Sequence, residues 1–349
     1  MRWTFASAAT LAALFAGSSL IAPARSEASG EVNIYSYRQP TLIEPLLKEF
    51  REETGIKTNV IFASKGLIER IRAEGRNSPA DVLLTVDIGN LSQAVASGIS
   101  QPVVSDVIDD SIPASYRGAN DEWIGLTGRA RVVYASKERV AQDDITYEEL
   151  ADPKWRGKIC SRSGQHPYNV ALVASMLAHV GPDKTEAWLR GVKANLARKP
   201  AGNDRLQVKG VYAGECDLAI GNTYYMGKML TDEKHPEQKE WANSVKMLFP
   251  SSNDRGTHMN VSGAVLAKNA PNKDNGLKLI EFLASDKGQS MYAEVNHEYP
   301  TKDGIAWSDL VESWGKFRAD PIPLNEIASL RKAASEMIDK VGFDDGPSS

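Results

Sequence analysis

From residue 31 onward, short apolar runs alternate with stretches whose apolar residues recur every three or four positions. "EVNIYSY" (Glu31–Tyr37) reads as a strand, and "LIEPLLKEFREETG" (Leu42–Gly55) as an amphipathic helix that stops at a glycine. "KTNVIFA" predicts the next strand, "GLIERIRAEG" a helix, "ADVLLTV" a buried strand and "GNLSQAVASG" a helix. That order implies a mostly parallel sheet with right-handed crossovers. A long extended segment follows, "WIGLTGRARVVYAS" (Trp123–Ser136), with Arg129 and Arg131 on one face.

The pattern then restarts. "GKICSRSG" reads as a strand, "YNVALVASMLAHVG" and "KTEAWLRGVKANLA" as two helices, and "ECDLAIGN" and "VKMLFP" as strands. "THMNVSGAVLAK" (Thr257–Lys268) is a second long extended run, and "NGLKLIEFLAS" is a helix. Two α/β halves joined by two such segments predict a bilobed molecule. Residues 29–125 and 260–300 would form lobe 1, and 126–259 and 301–349 lobe 2. Ligands in such folds bind between the halves, at strand ends and helix N-termini.

The N-terminus changes this picture. "MRWTFASAATLAALFAGSSLIAPARSEASG" has a basic Arg2, a small-residue-rich apolar stretch and small-residue cleavage options, the layout of a secretory signal peptide over residues 1–28. The mature protein would then be exported and soluble. In an oxidising compartment its two cysteines, Cys160 and Cys216, read as a disulfide. Each lies eight residues before a tyrosine, Tyr168 and Tyr224, so a bridge would tie two tyrosine-bearing segments together. A net charge of −4 argues against a nucleic-acid partner.

The adjacent pair Tyr224-Tyr225 in "AIGNTYYMGKML" is the feature that asks for chemistry. Gly221, Asn222 and Thr223 suggest that the strand has ended and a helix cap has begun. By local pattern alone, such a pair is one core ring and one surface ring. The other reading is a site. Ionising a free phenol at pH 7 costs about 4 kcal/mol, and three would cost about 12 kcal/mol. A helix N-terminus returns about 1 kcal/mol. A highly charged, hard cation can supply the rest by deprotonating its ligands, and ferric iron fits. Calcium and magnesium would want carboxylates and carbonyls. The five histidines, His166, His179, His235, His258 and His297, show no metal-ligand spacing. Asp87 and Asn90 read as caps of the following helix.

"NIYSYRQPTLIEPLLKEF", "ADVLLTVDIGNL", "GRARVVYASK" and "AIGNTYYMGKM" resemble the corresponding segments of periplasmic ferric-iron-binding proteins, the substrate-binding components of bacterial Fe(III) ABC importers. The resemblance runs from about residue 31 to 340. It implies the type II periplasmic-binding-protein fold, Fe(III) as transported ligand, a periplasmic monomer and an ABC permease in the inner membrane as partner. By position, Tyr224 and Tyr225 match the family's paired tyrosine ligands, and Tyr168 in "GQHPYNVAL" matches its single tyrosine of the same lobe. Many relatives carry a His-Tyr pair where this chain has Gln39-Pro40, which leaves Tyr37 as the first-lobe candidate. Arg38 or Arg129 would bind carbonate or a similar synergistic anion.

Two other classes stay open at this point. A protein of the same fold could bind an oxyanion, a phosphonate or another small solute, a cargo that suits the arginines but does not need adjacent tyrosines. An exported hydrolase would turn over a substrate, yet the sequence has no G-x-S-x-G elbow, P-loop or G-x-G-x-x-G after its first strand.

Overall fold

The computed structural model describes Met1, Trp3 and residues 30–347; the remainder of the expected signal segment lies outside the described residues. The side chains of β1 (Glu31–Ser36) alternate between two cores. Val32 and Ile34 join an apolar cluster with Leu46, Leu47 and Phe50, whereas Tyr35 joins another with Leu67 and Ile71. The helices that supply those partners, α1 (Pro40–Thr54) and α2 (Leu67–Glu74), therefore cover opposite faces of the sheet. Pro40 opens α1, where no intrahelical amide bond is lost, and Gly55 closes it at φ 71°. Between the helices runs β2 (Lys57–Phe62), and β3 (Val82–Leu84) and α3 (Ile88–Ala96) follow. Asp87 caps α3 by accepting the amide hydrogen of Asn90. β4 (Ser100–Gln101) and α4 (Asp106–Ser111) complete this part.

The second part contains β5 (Ile124–Ser136), β6 (Ile159–Cys160), α5 (Pro167–Ala194), α6 (Asp204–Tyr212), β7 (Leu218–Asn222), α7 (Tyr224–Thr231), α8 (Glu237–Asn243) and β8 (Val245–Leu248). The chain continues through β9 (Met259–Ala267), α9 (Lys273–Ala284), α10 (Asp286–Asn296), β10 (Tyr299–Pro300), α11 (Asp309–Glu312) and α12 (Leu324–Val341).

β5 is the spine. It is buried along its whole length, and Ile124–Ala130 pair antiparallel with β9 while Arg131–Ser136 pair antiparallel with β7 and β8. β9 in turn joins β3, giving the order β2-β1-β3-β9-β5-β7-β6. The first three strands are mutually parallel, as the alternating pattern predicts, and the antiparallel β5 and β9 make the whole sheet mixed. One face of the second part packs under α6 and α7, where Val132 and Tyr134 meet Val208, Val211 and Met229. On the other face Val133 and Ala135 share a cluster with Leu172 of α5 and Ile338 of α12.

Two local expectations change. β7 extends through Gly221 and Asn222, because Thr223 continues its ladder: its amide donates to the Ala130 carbonyl at 3.1 Å and its hydroxyl accepts from the Ala130 amide at 3.3 Å. Thr223 is thus bonded to β5 and makes no side-chain cap. The strand expected in "GKICSRSG" is only two residues long, since Asn169 Nδ2 and Asp344 Oδ1 satisfy the backbone beyond it. The two predicted helices after Tyr168 are both present, as the two arms of α5, separated by the non-helical Gly181 (φ 77°) before Pro182.

Cys160 and Cys216 are bridged across a separation of 56 residues, and Gly210 of α6 packs against both sulfurs. Closing a loop of that length stabilises the fold by about 4 kcal/mol in the chain-entropy account. Reduction of the bridge should therefore lower the urea midpoint of unfolding without a ligand present. An unchanged midpoint would show that the bridge does not constrain the fold.

Candidate metal centre

Three of the four expected tyrosines come together. Tyr168 is the second residue of α5, and Tyr224 and Tyr225 are the first two of α7. The Tyr168 and Tyr224 hydroxyls lie 3.4 Å apart, and the Tyr224 and Tyr225 rings stack with centroids 4.2 Å apart. Helical side chains lean toward the N-terminus, so those of the first turn project past the end of α7. Thr223, fixed to β5, sets the entry angle. Gly221 is required just before it: a Cβ there would stand 2.5 Å from the Tyr134 ring, whose hydroxyl donates to the Asn222 carbonyl at 2.6 Å.

The phenols lie in a positively charged surround. The guanidinium carbons of Arg129, Arg131 and Arg162 are 5.5, 5.9 and 5.4 Å from the Tyr168 ring centroid. Arg131 and Arg162 are answered by Asp204, which is fully buried at the start of α6. One carboxylate oxygen accepts from Arg131 at 2.7 Å and from the Asn222 amide at 2.9 Å; the other accepts from Arg162 at 3.0 Å. The second terminal nitrogen of Arg131 donates to Asn169 Oδ1 at 2.7 Å. Arg129 differs. It donates to the Ser262 hydroxyl at 2.5 Å and the Val261 carbonyl at 3.2 Å, and among the described residues no carboxylate pairs with it. A buried guanidinium in that state favours an anion beside it.

Burial raises the Tyr224 phenol well above its ordinary range, with Tyr168 and Tyr225 adding to the effect and Arg129 opposing it. Tyr225 is pushed up to about 12, first by burial and then by Asp204. Without a metal both are neutral at pH 7. His166, the N-cap of α5, accepts the Tyr168 amide hydrogen and sets its ring against Tyr168 at 4.5 Å. Burial, then Arg162, drive its pKa down to about 3, so it is a neutral imidazole. Among the described residues, no group of three or more His, Cys, Asp or Glu side chains is placed to hold a metal ion. Phenol oxygens are therefore the dense donor set.

Tyr37 and Arg38 stand apart from this cluster in their hydrogen bonding. The Tyr37 hydroxyl accepts from the Leu67 and Ile68 amides, each at 3.0 Å, at the start of α2. Burial raises its pKa, and these amide bonds pull the other way. Arg38 is fully buried and paired with Glu298 at 2.5 Å, although Tyr224 is close enough to act on its charge. Sequence reasoning did not find Arg162, Asp204 or Asn169. Arg162 lies six residues before Tyr168, a spacing that carries no periodic signal, and Asp204 sits at the start of a helix whose pattern is irregular.

Comparison with known proteins bears on this geometry. Residues 35–290 match the family model described as bacterial extracellular solute-binding protein. Iron uptake protein A1 of Synechocystis sp. is 43% identical over 315 residues, 90% of this chain and 87% of that protein. The apo ferric ion-binding protein A of Pasteurella haemolytica superposes with a TM-score of 0.87 at 53% identity, covering 90% of this chain and 99% of that one. The Trichodesmium protein solved with iron and citrate superposes at 0.84 with 40% identity, covering 90% and 100%.

Raised phenol pKa values carry a stability consequence. A group whose folded pKa exceeds its ordinary value of about 10 stabilises the fold below that pH, and the contribution disappears as pH rises through the folded value. The metal-free protein should lose stability between pH 10 and about 12, and Tyr225→Phe should lose less over the same window. Urea melts along a pH series read this directly. Equal losses in both proteins would contradict a raised Tyr225 pKa.

Proposed function

The chain belongs to the bacterial extracellular solute-binding protein family, and from that premise we propose that it captures Fe(III) between its lobes through the phenolates of Tyr168, Tyr224 and Tyr225 and delivers it to an ABC permease. The fold is the bilobed type II periplasmic-binding-protein fold. Its relatives are named for iron uptake and ferric-ion binding, and the family supplies substrate-binding components, so the role is transport and not catalysis. Periplasmic residence as a monomer after signal cleavage is part of the same reading.

The observation that carries it is the approach of the Tyr168 and Tyr224 hydroxyls, with Tyr225 stacked alongside, under a surplus of buried guanidinium charge. Neutral phenols do not need that surplus; phenolates do. A ferric ion would displace the phenol protons, and the arginines would stabilise the negative oxygens while the metal is seated. Arg129 is the proposed partner of a synergistic anion, because it alone of the three lacks a carboxylate. Carbonate and citrate both suit it, and the Trichodesmium relative was solved with citrate. Arg38 could act on the anion only with Glu298 already bonded to it. For the first lobe we propose Tyr37, whose two amide donors favour its phenolate form. An oxyanion cargo is the second reading, and the uncompensated Arg129 is the observation in its favour.

Titration of the iron-free protein with ferric citrate should develop a broad visible charge-transfer band that saturates at one iron per chain. Tyr224→Phe should weaken binding by at least a hundredfold and bleach the band. A colourless protein would leave the oxyanion reading. Lowering the pH should release iron, since protons compete for the phenolates; an affinity unchanged from neutral to mildly acidic buffer would contradict phenolate ligation. Tyr37→Phe should lower affinity while the band survives, and an unaltered affinity would confine the ligands to Tyr168, Tyr224 and Tyr225.

A further inference from the structure

Resting on the iron reading above, we propose that Asp204 is the specificity-determining residue of this site: by occupying Arg131 and Arg162 it keeps a cluster of three buried arginines from being an oxyanion pocket. Three guanidiniums within 6 Å of one ring centroid are what a protein would assemble for a phosphate-like ligand. Such a ligand needs N–H groups that are free to turn to it. Arg131 has three of the four hydrogens on its terminal nitrogens committed, to Asp204, Asn222 Oδ1 and Asn169 Oδ1. Arg162 gives its Nη1 to the other Asp204 oxygen.

Asp204 itself is held in place. It is buried at 0% exposure, opens α6 behind the Asn203 cap, and receives the Asn222 amide hydrogen at the end of β7. Besides Arg131 on β5, its partners lie in the segments that lead into the site tyrosines. Arg162 lies six residues before Tyr168, and Asn222 stands two residues before Tyr224. Both oxygens of the carboxylate already accept from protein donors. It therefore shapes the site without being offered to the metal. Its charge compensates Arg131 and Arg162 and leaves Arg129 as the one of the three with no carboxylate partner. One free guanidinium suits an anion that completes a metal's coordination; three would bind a tetrahedral oxyanion outright, with no metal needed.

The inference makes a gain-of-binding prediction, which loss of structure cannot imitate. Iron-free Asp204→Ala should bind inorganic phosphate at least tenfold more tightly than the unsubstituted protein, measured by calorimetry at low ionic strength. Asp204→Asn removes the charge while keeping the shape. It should show the same direction of change, and it carries the test if the alanine variant does not fold. Both should also bind iron more weakly, because Arg131 and Arg162 no longer hold their neighbours. A folded variant that gains no phosphate affinity would overturn the proposal, as would an unsubstituted protein that already binds phosphate equally well. The iron reading stands or falls separately, on the visible band of the unsubstituted protein.

Discussion

Asp204 accepts hydrogen bonds from Arg131, from Arg162 and from the Asn222 amide, and this buried cluster is the interaction on which the rest of the site depends. It joins β5, the loop before α5, the start of α6 and the end of β7 in one place. Taking two guanidiniums and a carboxylate out of water is expensive unless nearly every donor and acceptor is satisfied. Here Asn169 and Asn222 supply two further acceptors for Arg131, and the Nε groups of Arg131 and Arg162 are left without one. Because the geometry must be kept for the cluster to be tolerated at all, the tyrosines attached to it are held as well. Rigid donors lose little freedom when a metal arrives, which favours affinity.

The backbone reaches the same result by a different route. β5 carries Arg129 and Arg131 on one face and serves two sets of partners along its length, β9 first and then β7 and β8. Thr223 is tied to Ala130 between those two arginines, so the register of one strand fixes the start of α7 against the positive charge. The disulfide, packed against Gly210, restrains α6 from its far end. α12 packs on both α5 and α3, and Arg331 from it donates to the Pro167 carbonyl beside Tyr168. The tyrosines therefore sit on the ends of elements whose other contacts are extensive.

Much of this was legible in the sequence, and the limits have physical causes. Strands and helices with clean periods, such as β1, α1 and β9, could be read directly because one set of positions faces one core. The tyrosine pair stood out through its resemblance to the paired tyrosines of ferric-iron-binding proteins, since by local pattern alone it reads as one core ring and one surface ring. α6 could not be read. Its buried positions include Asp204 and Gln207, while Leu206 and Tyr212 are 43% and 46% exposed, so its polarity pattern runs against its packing. Asp204 was hidden for that reason. Arg162 was hidden for another: its importance comes from a partner 42 residues away, a relation that no local pattern carries. Thr223 looked like a helix cap because its type is a good capper, and the neighbouring strand took its hydrogen bonds instead.

The central claim is that three phenol oxygens of the second lobe converge on one ferric ion. Crystals of the iron-loaded protein, measured at the iron absorption edge, test this most directly through an anomalous difference map. The account predicts one strong peak per chain in contact with the oxygens of Tyr168, Tyr224 and Tyr225. A peak bound elsewhere, or bound through carboxylates or imidazoles with these phenols left in their hydrogen bonds, would contradict it.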